Sequence, residues 1–353
     1  MSFTQILAQK RDIVWREIES YLGALTDYPP FCRIPDRYAD LAALHQQIVS
    51  EYPSRKGKYV RPALLLLTAA AMGCPEEMAI KTAAAMQISE DWLLCHDDVE
   101  DDSLLRRGGP TLHRVYGKEL AINAGDALHV LQWKVLADNL QVLGEQKSWA
   151  IMDEFYRILS RTALGQMVEI KWTKDNRLDL TDEDILFILE SKTGYYTIGG
   201  PMRLGAILAG ANEGQLAKLY AFGRALGQCY QIKDDLLDLA VPPSSQEQLA
   251  DHDIYEGKRT VMLMHVLRTA QGEEREHLLA ILDKPREART NDDVTAMLAA
   301  MRKHGSLAHA ENLAKELASE AKRIFHAELG FLSHQPARDQ LLAAVDYVWE
   351  RTH

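Results

Sequence analysis

Residues 95–113 decide how this chain is interpreted, and they read Cys-His-Asp-Asp-Val-Glu-Asp-Asp-Ser-Leu-Leu-Arg-Arg-Gly-Gly-Pro-Thr-Leu-His. The aspartates continue an apolar helical pattern, and residues four apart on a helix are neighbours. Asp97 would therefore face Asp101. Asp98 would face Asp102 in the same way, and each like-charge pair costs about 0.2–0.5 kcal/mol. A hard divalent cation such as Mg²⁺ would offset this repulsion, because it prefers carboxylate oxygens together with water and phosphate.

The same spacing recurs in residues 231–239, which read Gln-Ile-Lys-Asp-Asp-Leu-Leu-Asp-Leu. A single cluster of this kind is about as often a solvated helix face as a site. Both clusters, however, lie among apolar helical residues and not in polar runs. We interpret them as parts of one metal site. The first acidic cluster comprises Asp97, Asp98, Asp101 and Asp102, and the second comprises Asp234, Asp235 and Asp238.

The composition favours one large folded unit. Of 353 residues, 47% are hydrophobic, and no low-complexity linker divides the chain. We expect a single domain over residues 1–353, although the length would also allow two. The net charge of −11, with no basic block, argues against nucleic-acid binding and against a membrane-surface role.

The cysteines and the N-terminus exclude further classes. Cys32, Cys74, Cys95 and Cys229 show no Cys-x-x-Cys spacing, so the common zinc and thioredoxin motifs are absent from the sequence. The first residues carry charges where a signal peptide needs an apolar run, and no later apolar run of about 18 residues lacks charges. We expect a cytoplasmic protein without stable membrane insertion.

Helical periodicity runs through nearly every long segment, and strand-like alternation between turn signals is missing. We therefore expect an all-α fold. The helix that carries the first acidic cluster is expected to start near Pro75, and an earlier helix is expected to stop at Pro53. The long segment Val241–Gly257 follows the second acidic cluster directly and is interpreted as a lid.

Basic residues near the clusters are of the kind that phosphate recognition needs. Arg106 and Arg107 follow the first acidic cluster, and Lys58 and Arg61 precede it. Lys192-Thr193-Gly194 lies inside an otherwise apolar helix, where the lysine needs an anionic partner and the glycine weakens the helix by about 1 kcal/mol. We expect a helix break at a ligand there.

Together these motifs resemble the trans-isoprenyl diphosphate synthases, or polyprenyl synthetases. The first aspartate-rich motif of that family is matched by residues 96–101 and the second by residues 231–238. Four further motifs lie in register, and the matches span about residues 57–260: Gly125-Asp126-x-Leu128, Gly165-Gln166-x-x-Glu169, Lys192-Thr193 and Asp253-x-x-Glu256-Gly257-Lys258-x-Thr260. The resemblance implies the isoprenoid synthase fold, a single all-α domain around a central apolar cavity.

By that resemblance the chain is a Mg²⁺-dependent homodimeric transferase that joins isopentenyl diphosphate head to tail to an allylic prenyl diphosphate. Three Mg²⁺ ions per site are implied, with metal ligands at Asp97, Asp98, Asp101, Asp234 and Asp238. The other catalytic residues implied are Arg106, Lys192, Thr193, Gln231 and Lys258. The implied substrate contacts are Lys58, Arg61, Glu90, Arg106, Arg107, Gln166, Lys192 and Lys258.

The chain departs from the family pattern in three places. Residues 56–62, Lys-Gly-Lys-Tyr-Val-Arg-Pro, replace Gly-Gly-Lys-Arg-x-Arg-Pro. Glu90 stands seven residues before Asp97, where members usually carry His or Gln near isopentenyl diphosphate. The Gly-Lys expected soon after the second acidic cluster is replaced by Leu249-Ala250. These departures concern the isopentenyl diphosphate site more than the metal site.

Two other functions compete with this interpretation. A class I terpene cyclase shares the fold and the first motif, but its usual downstream motif is matched only by residues 291–295, and Ala299 stands where that motif needs Glu. A regulatory homologue with weak activity would suit Glu90, yet it would not need intact aspartates in both clusters.

Product length depends on what lies before the first acidic cluster. Trp92 is five residues before Asp97, roughly 7.5 Å deeper along the helix, where a growing tail would point. Leu93 lies beside it and Ser89 about one turn further. The alternative is that Trp92 is simply a core aromatic, because large buried aromatics are common. As a floor it would stop the tail early, so we predict the twenty-carbon geranylgeranyl diphosphate, with fifteen-carbon farnesyl diphosphate second.

Overall fold

The computed structural model describes residues 2–240 and 253–350. Helices make up nearly all of the regular structure in these residues, which confirms the all-α prediction. Of the expected lid, only residues 253–257 are described, and the departure at Leu249-Ala250 lies outside the described residues. The helices are α1 (Phe3–Gly23), α2 (Ala39–Arg55), α3 (Val60–Ala71), α4 (Ile80–Glu100), α5 (Leu112–Tyr116), α6 (Lys118–Asp138), α7 (Leu140–Leu143), α8 (Glu145–Lys174), α9 (Asp182–Ile188), α10 (Gly200–Leu208), α11 (Glu213–Ala240), α12 (Asp253–Glu256), α13 (Val261–Thr269), α14 (Gly272–Leu282), α15 (Asn291–Lys303), α16 (Ser306–Glu328) and α17 (Ala337–Glu350).

A short antiparallel hairpin is the exception to the helical pattern. It is formed by β1 (Leu105–Arg106) and β2 (Gly109–Pro110). Its turn residues Arg107 and Gly108 both have positive φ, 50° and 77°, as a two-residue type I′ turn requires. Arg55 Nη1 donates to carbonyl oxygens on both sides of the turn, at 2.9 and 2.8 Å. The hairpin fixes the backbone from which the two predicted phosphate-binding arginines project.

Two predicted helix boundaries were wrong. Pro53 lies inside α2, in its last turn, and the helix continues to Arg55. The N–H of Lys56 then donates to the Pro53 carbonyl at 3.0 Å and closes this turn. The helix of the first acidic cluster starts at Ile80 and not near Pro75, because Pro75 begins a separate 3-10 turn, Glu76–Met78.

The described chain folds as two compact units. Unit 1 comprises Met1–Glu154, Pro201–Asn212 and Leu332–Gln340, and unit 2 comprises Phe155–Gly200, Glu213–Phe331 and Leu341–His353. In unit 1, α4 packs against α1, α3 and α6. In unit 2, α11 packs against α16 and against a π-helical segment, Leu189–Gly199, that joins α9 to α10. The expected single domain stays a prediction.

The most apolar helix of unit 1 is α3, and unit 1 itself covers it. Its side chains from Val60 to Ala71 are buried at nearly every position, including the run Leu64–Leu67 at 1% exposure or less. Its apolar character therefore reflects burial in the core of unit 1. Among the described residues, no helix combines the length and the apolar character needed to cross a membrane.

The predicted helix break at Lys192-Thr193-Gly194 is not observed. The helix instead widens into the π-helical segment, which accommodates an extra residue while the chain of hydrogen bonds continues. Glycines allow α11 to approach this segment closely, since a Cβ on Gly227 would overlap Gly194 and a Cβ on Gly223 would overlap Gly199. The widened turn thus lies directly against α11 of the same unit.

Candidate active site

Asp97 and Asp101 lie one turn apart at the C-terminal end of α4. Asp101 is the C-cap residue, and its backbone N–H donates to the Asp97 carbonyl at 2.8 Å. The C-terminal end of a helix carries partial negative charge, so both carboxylates are opposed by the helix dipole as well as by each other. A cation bound near these two side chains would relieve both interactions.

Asp98 is completely buried and binds groups of its own unit. Its Oδ1 accepts from Nε of Arg106 at 2.9 Å, and its Oδ2 accepts from the hydroxyl of Tyr52. Burial raises the pKa of Asp98 above its ordinary value, and the charge of Arg106 offsets part of that rise. Nη2 of the same arginine lies 3.8 Å from Oδ2 of Asp97. Asp98 therefore anchors Arg106 beside the Asp97 carboxylate.

Asp102 does not share the helix face of the other three aspartates. Because α4 ends at Glu100, Asp102 leaves the helix and adopts a left-handed conformation with φ 52°. Its carboxylate accepts from Nη2 of Arg114 at 2.7 Å and lies 3.5 Å from Nε2 of His113. The prediction that Asp98 and Asp102 face each other on one helix is therefore wrong, because Asp102 lies beyond the end of α4.

The second acidic cluster lies near the C-terminal end of α11. Asp234 is exposed, whereas Asp235 is buried. Burial and the charge of Asp253 raise the pKa of Asp238 to about 7, and the same two causes raise the pKa of Asp235 well above its ordinary value. The backbone N–H of Asp253 donates to Oδ2 of Asp238 at 3.1 Å. Carboxylates crowded in this way favour the binding of positive charge.

Two lysines stand among these carboxylates in unit 2. Nζ of Lys258 donates to Oδ1 of Asp253 at 3.2 Å, and the charge of Asp253 raises the pKa of the lysine although burial opposes this. Nζ of Lys192 donates to Oε2 of Glu169 on α8 at 2.6 Å. That pair is close because Gly165 lets α8 approach, since a Cβ there would lie 2.9 Å from the Lys192 backbone nitrogen.

Gln231 links the π-helical segment to the second acidic cluster. Its Oε1 accepts from the hydroxyl of Thr193 at 3.0 Å, and its Nε2 donates to Oδ1 of Asp235 at 2.8 Å. Two predicted site residues, Thr193 and Gln231, are thus brought to the second acidic cluster by the π-helical segment and α11, whereas Lys192 pairs with Glu169 of α8. Gln166 lies half-buried on α8, next to Gly165.

The donor set of both clusters fits Mg²⁺ better than a cation that needs a cage of side chains. Within residues 2–240 and 253–350, no three His, Cys, Asp or Glu side chains converge tightly enough to enclose a metal ion unaided. Mg²⁺ is bound in proteins by one or two carboxylates plus water and substrate phosphate oxygens. The raised pKa values of Asp235 and Asp238 show that this region would gain from added positive charge.

The predicted isopentenyl diphosphate residues of unit 1 are only partly exposed to solvent. Lys58 is exposed at the start of α3. Arg61 and Arg107 are brought together around an acidic residue, because Nη1 of Arg61 lies 3.1 Å from Oε2 of Glu90 and Nη2 of Arg107 lies 3.5 Å from Oε1 of Glu90. Nη1 of Arg107 also pairs with Oδ1 of Asp91 at 2.8 Å.

The predicted product-length residues lie on α4. The indole N–H of Trp92 donates to Oε1 of Gln132 on α6 at 2.7 Å, and the ring packs on His129 with centroids 4.6 Å apart. Ser89 is buried, and its hydroxyl donates to the carbonyl of Met86 at 2.7 Å. Leu93 is half-buried. Trp92 is therefore held in one orientation by α6.

The stretch that comes nearest to a cyclase motif has a structural role. Asp293 forms a capping box with Thr290 at the start of α15. Both of its carboxylate oxygens also accept from Nζ of Lys284, at 2.7 and 2.8 Å. Both carboxylate oxygens of Asp293 are thus engaged by the helix cap and the ion pair and are not available to bind a metal ion.

The sequence did not single out four residues that the structure places at these sites. In unit 1, the hydroxyl of Tyr52 donates to Asp98, and Asp91 pairs with Arg107. In unit 2, Asp253 and Glu169 pair with the two predicted lysines. A signal was available for Asp91, because an acidic residue within an apolar helix needs a partner. Asp253 and Glu169 lie in motifs that match the family, but the sequence does not indicate which lysine each of them binds.

The chain is similar to known proteins over most of its length. The family model described as polyprenyl synthetase matches residues 42–301. A short chain isoprenyl diphosphate synthase of Methanothermobacter thermautotrophicus is 31% identical over 298 residues, 84% of this chain and 87% of that protein. A geranylgeranyl diphosphate synthase of Saccharolobus solfataricus is 33% identical over 260 residues, 74% of this chain and 76% of that protein.

The fold is also found among solved structures. A geranylgeranyl pyrophosphate synthase of Corynebacterium glutamicum, solved with isoprenyl diphosphate and magnesium, superposes with a TM-score of 0.83 at 24% identity, over 99% of this chain and 100% of that one. The names of the relatives range from geranylgeranyl to geranylfarnesyl and nonaprenyl diphosphate synthases.

Proposed function

This chain belongs to the polyprenyl synthetase family and is a trans-prenyltransferase, and from that premise we propose that it elongates an allylic diphosphate with isopentenyl diphosphate to geranylgeranyl diphosphate. We further place it in the cytoplasm, as a homodimer. The observation that carries the proposal is that each acidic cluster is accompanied by fixed cations, Arg106 at the first and Lys258 at the second.

The metal ligands we propose are Asp97 and Asp101 in the first acidic cluster and Asp234 and Asp238 in the second, for three Mg²⁺ ions. Asp98 is given a different part, because both of its oxygens already bind Arg106 and Tyr52. It positions Arg106 toward the departing diphosphate. When bound, Mg²⁺ supplies the charge that grips the allylic diphosphate and stabilises it as it leaves.

The side chains of the protein then act on the two substrates. Arg106, Lys192 and Lys258 provide fixed positive charge for the negative charge that develops on the leaving diphosphate. Its departure leaves an allylic carbocation, which the double bond of isopentenyl diphosphate attacks, and the released diphosphate accepts the proton that is then lost beside the new bond. Thr193 and Gln231 hold the second acidic cluster in place through their hydrogen bonds. Apolar helix faces exclude water from the cation.

The length of the product is assigned to Trp92. The ring lies on α4 five residues before Asp97 and is held by Gln132 and His129. A rigid indole at that depth would end the cavity after a few isoprene units, and Leu93 beside it leaves more room than an aromatic would. The test is liquid chromatography with mass spectrometry of the products made from isopentenyl diphosphate and each allylic primer in Mg²⁺. A dominant twenty-carbon product supports the assignment, and chains that pass well beyond it refute it.

Trp92→Ala should shift the products to longer chains without abolishing turnover. The substitution removes the indole and leaves the metal ligands in place, so the tail can extend further before it is stopped. Trp92→Phe keeps most of the bulk and serves as the control, with products close to those of the parent. If Trp92→Ala keeps the parental product distribution at comparable turnover, the tail does not end on Trp92.

A homodimer is expected from the apolar surface of unit 1. The helices α6 to α8 expose large apolar side chains, with Val130 70% and Trp149 63% exposed. Light scattering at micromolar concentration should give twice the monomer mass, and Val130→Asp should shift the protein toward the monomer. Phe31→Asp, at an 89% exposed aromatic between α1 and α2, is the control and should leave the mass unchanged. A monomeric parent protein would contradict the expectation.

A further inference from the structure

Carboxylates of the chain itself surround the two arginines assigned to isopentenyl diphosphate. Glu90 lies between them, with Oε2 at 3.1 Å from Nη1 of Arg61 and Oε1 at 3.5 Å from Nη2 of Arg107. Asp91 pairs with the other nitrogen, Nη1 of Arg107, at 2.8 Å. Two positive charges are thus matched by two negative charges within unit 1.

The carboxylate of Glu90 stays ionised in this environment. Burial opposes ionisation, but Arg61 and Arg107 outweigh it and hold the pKa of Glu90 below its ordinary value. Burial raises the pKa of Asp91 to about 6, and Arg107 limits the rise. At neutral pH the two positive charges of Arg61 and Arg107 are therefore balanced by the two negative charges of Glu90 and Asp91.

The same cluster keeps hydrogen-bonding capacity for a polar ligand. The hydroxyl of Tyr59, a residue only 1% exposed, has no hydrogen-bond partner among the described residues. Within residues 2–240 and 253–350, Nη2 of Arg107 likewise makes no hydrogen bond, although it lies within ion-pair distance of Glu90. Buried donors of this kind are unfavourable unless a partner is supplied. A phosphate oxygen is a suitable partner, since it accepts from both hydroxyl and guanidinium groups.

We propose that Glu90 competes with the diphosphate of isopentenyl diphosphate for Arg61 and Arg107, and so sets the affinity of this chain for its non-allylic substrate. The proposal rests on the proposed function. To bind, the diphosphate must share or displace a carboxylate that is tethered beside the same guanidinium groups. A neutral side chain at this position would leave both arginines to the diphosphate and would remove a like charge from its neighbourhood.

The test is isothermal titration of the full-length protein with isopentenyl diphosphate without metal, for the parent, Glu90→Gln, Glu90→His and Glu119→Gln. Glu119 is an exposed residue in the first turn of α6 and provides a charge-matched control. Both substitutions of Glu90 should lower the dissociation constant by about tenfold or more, which equals about 1.4 kcal/mol. The control should bind as the parent does.

Steady-state kinetics separates this effect from a general structural one. In the variants of Glu90 the KM for isopentenyl diphosphate should fall relative to the KM for the allylic primer, whereas Glu119→Gln should keep the parental kcat and both parental KM values. The proposal is overturned if both variants bind isopentenyl diphosphate no more tightly than the parent, if none of the proteins binds it, or if neither variant folds. If the parent binds isopentenyl diphosphate but elongates no primer, the proposed function is wrong. The titration still shows whether Glu90 weakens the binding of isopentenyl diphosphate.

Discussion

Asp97→Ala and Asp234→Ala should each lower the rate of prenyl transfer about a hundredfold or more. Each substitution removes a proposed metal ligand whose bound cation is needed when the negative charge of the leaving diphosphate develops. Chelation of Mg²⁺ with EDTA should have a similar effect on the parent protein. The measurement is the initial rate of incorporation of labelled isopentenyl diphosphate at saturating primer.

Asp102→Ala is the matched control for Asp97→Ala. Asp102 belongs to the same acidic stretch, but its carboxylate binds Arg114 at the surface. Exposed ion pairs contribute about 1 kcal/mol or less, so this variant should keep most of the activity. Turnover of Asp97→Ala or Asp234→Ala at the level of Asp102→Ala, or full turnover in EDTA, would refute the metal sites.

Gly227→Ala should destabilise the protein by about 3 kcal/mol, the upper part of the range for overpacked sites. The added Cβ would overlap the Cα of Gly194 in the π-helical segment. This neighbour is a backbone atom, so the clash cannot be relieved by the rotation of a side chain. The shift should appear as a lower midpoint of urea unfolding followed by circular dichroism. Because the same helix contact holds Thr193 on Gln231, activity should fall as well.

Gly23→Ala provides the comparison, since a Cβ at Gly23 meets nothing within 4 Å. Alanine is preferred over glycine in helices by about 1 kcal/mol, so this variant should be as stable as the parent or slightly more stable. Equal unfolding midpoints for Gly227→Ala and the parent would show that α11 does not approach the π-helical segment as closely as described.

The spacing of charged residues predicted which residues form the clusters but not how each one is used. Asp97 and Asp98 are adjacent in the same motif, yet Asp98 is buried against Arg106 and Tyr52. Asp98 lies near the end of α4, and both of its partners come from other elements. Arg106 comes from the hairpin that follows α4, and Tyr52 comes from α2. A periodic pattern describes one helix at a time and carries no information about such partners.

Two further differences also arise from contacts that are distant in sequence. The lysine and glycine at 192 and 194 predicted a disturbance in the helix, but its form depends on glycines of α11 that pack against it. The sequence shows Glu90 as a departure from the family pattern. That it pairs with both Arg61 and Arg107 follows only from the hairpin, whose turn places Arg107 beside α4.

Head-to-tail elongation is best tested through the stoichiometry of the reaction. The purified protein is incubated with Mg²⁺, isopentenyl diphosphate and an allylic primer, and released inorganic diphosphate is counted against isopentenyl diphosphate consumed. We predict one diphosphate released for each five-carbon unit added, and no release from the primer alone. Diphosphate released from the primer without isopentenyl diphosphate, together with a hydrocarbon product, would identify a cyclase. The absence of an elongated product from every primer would refute head-to-tail elongation.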